Sequence, residues 1–96
     1  MREKQTEQRL LHAVQAAGGV ALKLASPSYA GLPDRLVLLP GGHIAFVEVK
    51  APGKKPRAVQ RLRMDLLRQL GFRAYVLDDP LQIPGLIRSV LGEEGI

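Results

Sequence analysis

Over residues 2–17 the apolar positions Leu10, Leu11, Val14 and Ala17 recur three and four apart and the pattern stops at Gly18-Gly19, which predicts a first helix. From Val20 the period changes to two. Val20, Leu22 and Leu24 alternate with Ala21, Lys23 and Ala25, which predicts a strand packed on that helix. Residues 26–31 are a turn-rich loop. Two aliphatic runs, 36–39 and 44–49, flank Pro40-Gly41-Gly42-His43 and read as antiparallel strands of a hairpin. Val59, Leu62, Leu66, Leu67 and Leu70 then give a second helix over 58–70, stopped by Gly71. The nearly continuous apolar run 73–77 predicts a strand covered on both faces. Asp78-Asp79-Pro80 turns the chain into a last helix from about residue 84, with Leu86, Ile87, Val90 and Leu91 on its apolar face, and 92–95 read as a loose tail.

The hairpin carries the chemistry. In a hairpin the start of one strand lies beside the end of the other, so a turn centred on Gly41-Gly42 sets Asp34 opposite Val49 or its neighbour. Glu48 and Lys50, two apart, project from one face. Two carboxylates held this close repel unless a hard cation lies between them, and Mg²⁺ or Mn²⁺ takes a few protein oxygens while keeping waters. A lysine beside such an ion suits hydrolysis of a phosphodiester.

Composition adds a partner. The 96 residues make one small domain over 1–96, able to bury roughly 60–65% of its unfolded surface. No cysteine is present, which excludes disulfides and thiolate metal sites and suits a reducing compartment. Fourteen Lys and Arg against nine Asp and Glu leave a formal charge of +5, the footprint of a polyanion binder. No apolar run approaches a membrane span and the polar start has no signal-peptide core, so a soluble cytoplasmic protein with no membrane partner is expected.

The basic residues fall near the acids. Lys54, Lys55 and Arg57 lie directly after the acid and lysine cluster, Arg61 follows in the second helix, and Lys23 precedes the turn-rich loop; these are the candidate contacts to nucleic acid. Tyr29, in that loop, can stack on a base or cover the edge of the core. Gln60, in the first turn of the second helix, can orient a water or a phosphate oxygen, or be an ordinary surface glutamine. Glu7 continues the apolar stripe of the first helix. It reads either as a solvated acid in a frayed first turn or as a third acid at the metal site.

The order of helix with acid, strand, Gly31-Leu32-Pro33-Asp34-Arg35, hairpin, Phe46-Val47-Glu48-Val49-Lys50-Ala51-Pro52-Gly53 and helix with Gln60 resembles the PD-(D/E)xK nuclease superfamily, and within it the VRR-NUC domain. The resemblance implies an α/β fold with a restriction-endonuclease-like core, a small mixed β-sheet flanked by helices in the order α-β-β-β-α-β-α. It implies a divalent metal, Mg²⁺ or Mn²⁺, held by Asp34, Glu48 and the Val49 carbonyl, with Glu7 joining directly or through water. Lys50 would be the catalytic lysine and Gln60 a supporting residue. Stand-alone proteins of this kind occur in phages and bacteria and look like homodimers that cut branched DNA such as four-way junctions or flaps, which places the chain in a bacterial or phage-infected cytoplasm. Two other readings stay open: a basic DNA-binding or assembly module whose acids form a structural ion network, and a nuclease subunit of a larger repair or packaging assembly.

Overall fold

The computed structural model describes residues 2–93. Helix α1 (Glu3–Ala16) leads into strands β1 (Val20–Lys23), β2 (Arg35–Leu39) and β3 (His43–Val49); helix α2 (Ala58–Gln69), strand β4 (Arg73–Leu77), a 3₁₀ turn (Pro80–Gln82) and helix α3 (Ile83–Leu91) complete the chain. The four strands form one sheet in the order β1-β2-β3-β4, antiparallel up to β3 and parallel between β3 and β4. A parallel pair needs a crossover, and α2 supplies it. The α-β-β-β-α-β-α order and the mixed sheet agree with the expected architecture.

The β2–β3 hairpin sets the register on which the site depends. Its loop is the three residues Pro40-Gly41-Gly42, because Leu39 already pairs with His43. Gly41 and Gly42 lie at φ +89° and +79°, which side-chain-bearing residues adopt only at a cost. The pairing of Arg35 with Val47 and Leu36 with Phe46, extended by one residue, sets Asp34 opposite Glu48. That is the neighbour of Val49 that the turn position allowed.

Alternation then sorts the sheet into two faces. Val37, Leu39, Ala45, Val47, Val49 and Leu77 point to one side and bury against Leu10 and Val14 of α1 and Ile83, Leu86 and Val90 of α3. Each such side chain contributes about 1.5–3 kcal/mol by leaving water. The opposite face carries cross-strand rows: Val20, Leu38 and Ile44 in one, Leu22, Leu36, Phe46 and Ala74 in the next. Asp34, Glu48 and Val76 continue the series. Helix α2 packs on this face at its β4 side, where Arg68 donates to the Ala74 carbonyl at 2.7 and 3.1 Å. With α3 bonded to β4 through Tyr75 and Ser89 on the other side, β4 is covered on both faces as expected.

Strand β1 packs on α1 as expected, and the side it turns to the helix is that of Ala21, which packs against the core as do Ala13 and Ala17 of the α1 segment, and not that of its larger apolar residues. Small side chains on both partners let helix and strand approach closely, while Val20 and Leu22 turn outward and stay 43% and 45% exposed. Lys23 therefore stands on the helix-covered face and not on the open one.

At the C-terminus, Asp79 accepts from the Leu81 amide at 2.9 Å and opens the 3₁₀ turn, and Gly92 ends α3 at φ +76°. The remainder of the tail, from residue 94, lies outside the described residues.

Candidate active site

Glu48 is the centre of the site. Its side chain is 1% exposed although it sits near the end of β3, because α2 lies over it. One oxygen, Oε2, takes the Gln60 Nε2 donor at 2.7 Å and the Lys50 ammonium at 3.2 Å. The other, Oε1, is buried without a hydrogen-bond partner among the described residues. Asp34 stands alongside on the same face, its Oδ2 fixed by the Val49 amide at 2.8 Å. The hairpin thus brings Asp34, Glu48 and Lys50 together as its register requires.

Burial, the dominant cause, and the negative charge of Asp34 both raise the Glu48 pKa above the ordinary carboxylate value. The hydrogen bond and charge of Lys50, and to a smaller degree the backbone amide of Asp34, offset part of that rise. A buried carboxylate with one orphaned oxygen, crowded by a second carboxylate, fits a hard divalent cation: the ion would satisfy Oε1 and cancel the repulsion. The carboxylates of Asp34 and Glu48 are the side-chain oxygens that could hold it.

Gln60 does two jobs at once. Its Oε1 accepts from the Arg57 amide at 2.8 Å, tying the first turn of α2, while its Nε2 holds Glu48. The sequence suggested an orienting amide; the helix-capping bond was not visible there. Gln60→Ala is expected to lower the unfolding free energy by about 2–3 kcal/mol, from a lost cap and an underpartnered buried carboxylate. Denaturant titration measures this, and a loss below about 0.5 kcal/mol would show that Gln60 does not hold Glu48.

Glu7 is not brought to the acid pair. Its Oε2 accepts from Arg35 Nε at 2.8 Å, and Arg35 Nη1 also donates to the Ala21 carbonyl at 3.3 Å. Arg35 follows Asp34 in sequence and so points to the opposite side of the sheet, where α1 lies. Among the described residues no three His, Cys, Asp or Glu side chains converge on a common metal position. Lys23, paired with Arg35, is likewise on the α1 side.

Two of the other candidate basic residues, Lys55 and Arg61, lie near the acids. Lys54, Lys55, Arg57 and Arg61 are exposed. Lys55 and Arg61 line an open cleft of about 350 Å³ with Pro56, Met64, Asp65, Arg68 and Val76, and Val76 is the cross-strand partner of Glu48. The cleft therefore begins one strand away from the buried carboxylate. Tyr29 sits under the guanidinium of Arg63, 4.1 Å from its ring centroid. Arg63 carried no role in the sequence reading, and Arg68 counted only as part of the basic flank of the second helix with Arg57 and Arg61. The available signal was spacing: Arg63 is three residues after Gln60, on the same side of α2.

A mixed four-stranded sheet between helices, with Asp34, Glu48 and Lys50 on one face, is the restriction-endonuclease-like core of a nuclease. No protein-family model matches the chain. The structure is similar to a solved "VRR_NUC domain" at a TM-score of 0.84 and 30% identity, over 92% of this chain and 97% of that one. The sequence is 47% identical over 78 residues to p44 of Acyrthosiphon pisum secondary endosymbiont phage 1, a protein whose description as a nuclease is itself provisional; the match covers 81% of this chain and 84% of p44. The chain belongs to the VRR-NUC family.

Proposed function

We propose that the chain is a divalent-metal-dependent DNA endonuclease, a single domain that hydrolyses phosphodiester bonds in branched DNA, four-way junctions or flaps, as a homodimer in a bacterial or phage-infected cytoplasm. The observation that carries the reading is the Glu48 carboxylate, buried with one oxygen unpartnered beside Asp34 and Lys50. Asp34, Glu48 and the Val49 carbonyl would hold Mg²⁺ or Mn²⁺, which would supply an acidified water and neutralise charge on the phosphate. Lys50, anchored on Glu48, presents its ammonium to the phosphate and stabilises the negative charge that builds there during hydrolysis. Gln60 holds Glu48 in its rotamer, and Glu7 keeps Arg35 on the far side of the sheet. Lys54, Lys55, Arg57 and Arg61 hold the backbone of the duplex arm that leaves the site along the cleft.

Cleavage of linear, flap and four-way-junction DNA under Mg²⁺ and under Mn²⁺ tests this directly. Metal-dependent cutting, faster on the branched substrates, is expected. Salt-sensitive binding without cutting under either ion would establish a non-catalytic binding module instead.

The open sheet face supports the dimer. Val20, Leu22 and Ile44 are 40–45% exposed there, and Phe72, packed edge-on against Phe46 with centroids 5.8 Å apart, is equally open. Leu62 of α2 and Leu70, which follows it, add two further exposed apolar side chains. So many large apolar groups on a chain of this size mark a covered surface, and a second copy covers it with the same residues. The acid pair occupies the next row of this face, so pairing here joins two active sites in one frame. Ile44→Glu is expected to give a monomer in light scattering at concentrations where the native chain is a dimer, with its Tm little changed. A dimer that survives both Ile44→Glu and Leu22→Glu would remove this face from the interface.

A further inference from the structure

We propose, on the reading of Asp34 and Glu48 as a nuclease centre, that Tyr29 is a preorganised stacking platform for an unpaired nucleobase of the DNA beside that centre. The site deepens the nuclease reading by naming what it grips: an unpaired nucleotide, not only the phosphate backbone.

The loop between β1 and β2 is tied down at each step. Its neck is closed by the Leu24 amide donating to the Asp34 carbonyl at 2.9 Å, and the Tyr29 amide turns back onto the Ser26 carbonyl at 3.2 Å. Arg63, reaching from α2, donates through Nε to the Ala30 carbonyl at 2.8 Å. Gly31 then passes so close to α2 that a Cβ there would lie 2.8 Å from the Val59 carbonyl oxygen. Only a glycine, here at φ +87°, allows that approach.

This scaffolding holds an aromatic ring that stands outside the core. Tyr29 does not belong to the apolar core and is 40% exposed. The guanidinium of Arg63 stacks on its ring, and Arg63 is itself immobilised by the Ala30 carbonyl. A ring fixed in this way loses little further freedom when a base stacks on it. The location is also apt. Tyr29 is five residues before Asp34, and its anchor Arg63 is one helical turn from Gln60, which holds Glu48. A strand whose phosphate reaches the acids therefore passes the end of the loop that carries Tyr29. Stacking needs a splayed or unpaired base, which a flap or junction offers and a continuous duplex does not.

The test is equilibrium binding, read by fluorescence anisotropy without divalent metal, so that cleavage plays no part. The probes are a flap DNA with an unpaired arm, the same flap with single abasic positions along the arm, and a blunt duplex. Tyr29→Leu is expected to weaken binding to the flap roughly 5- to 150-fold, the range for one stacked base. Tyr29→Phe should stay within about twofold of the native chain, and all three proteins should bind the blunt duplex alike. One abasic position should weaken the native chain as much as Tyr29→Leu does and add nothing to that variant. The proposal is overturned if Tyr29→Leu binds the flap as tightly as the native chain, or loses flap and duplex equally, or if no abasic position weakens the native chain. The abasic series uses unaltered protein and decides the matter even if a variant fails to fold. Failure of the nuclease reading shows separately, as absence of cutting by the native chain with metal.

Discussion

Lys50→Ala is expected to abolish DNA cleavage, by 10² to 10⁴ in the single-turnover rate at saturating Mn²⁺, without unfolding the chain or releasing the DNA. The side chain is only 17% exposed and reaches Glu48 at 3.2 Å, so its removal takes away the ammonium that faces the phosphate and one of the two partners of the buried carboxylate. It does not touch the core, which lies on the other face of the sheet. A second consequence distinguishes this account from a purely structural lysine. Lys50 holds the Glu48 pKa down against burial and Asp34. Without it Glu48 stays protonated to higher pH, so the acid limb of the residual rate, and of metal binding, should move to higher pH than in the native chain. A Lys50→Ala protein cutting within tenfold of native would rule Lys50 out of the chemistry.

Glu48→Gln should reverse sign with metal. In the metal-free chain the Glu48 pKa is raised, so the native state keeps its proton at a pH where the unfolded chain has lost it. The unfolded state then binds fewer protons, and stability falls as pH rises from the ordinary glutamate range through the raised value. Above that value the full burden of a buried carboxylate beside Asp34 is present. Glutamine removes that burden while still offering an oxygen to Lys50 and Gln60. The metal-free variant is therefore expected to melt above the native chain at pH 8, by a margin that shrinks toward pH 4. With metal at about 100 times its Kd the native chain gains about 2.7 kcal/mol, which for a domain of this size raises Tm by roughly 10–20 °C. The variant should gain little and melt below it. Differential scanning calorimetry with and without Mn²⁺ reads both orders; an equal metal-induced shift in the two proteins would place the ion elsewhere.

Much of the fold was legible because its determinants are local. A period of two defines a strand and its faces, a period of 3.6 defines a helix, and glycines at a turn fix a hairpin register. Those rules suffice to put Asp34 beside Glu48 and to align Lys50 with Glu48, and the structure shows all three together. Gln60 was placed near the site by its position in the first turn of α2, but not in its double bond to Arg57 and Glu48.

Other features depend on which surfaces meet, and period and turn chemistry say nothing of that. Alternation separated Val20 and Leu22 from Ala21 and Lys23, but the packing of Ala13, Ala17 and Ala21 decided which set faces α1. Glu7 read either as a solvated first-turn acid or as a third acid at the metal site, and only the packing of α1 on the sheet brought it to Arg35 in place of the acid pair. Tyr29 and Arg63, 34 positions apart, acquire a joint role only because α2 crosses back over the sheet beside the loop. The amino-acid sequence by itself determined the strands, their register and the acid and lysine cluster, since these follow from sterics and hydrogen bonding between near neighbours in the chain. The tertiary structure alone decided which face is open, which cation takes Glu7 and what holds Tyr29, because each is a choice among distant partners that only the packed helices make.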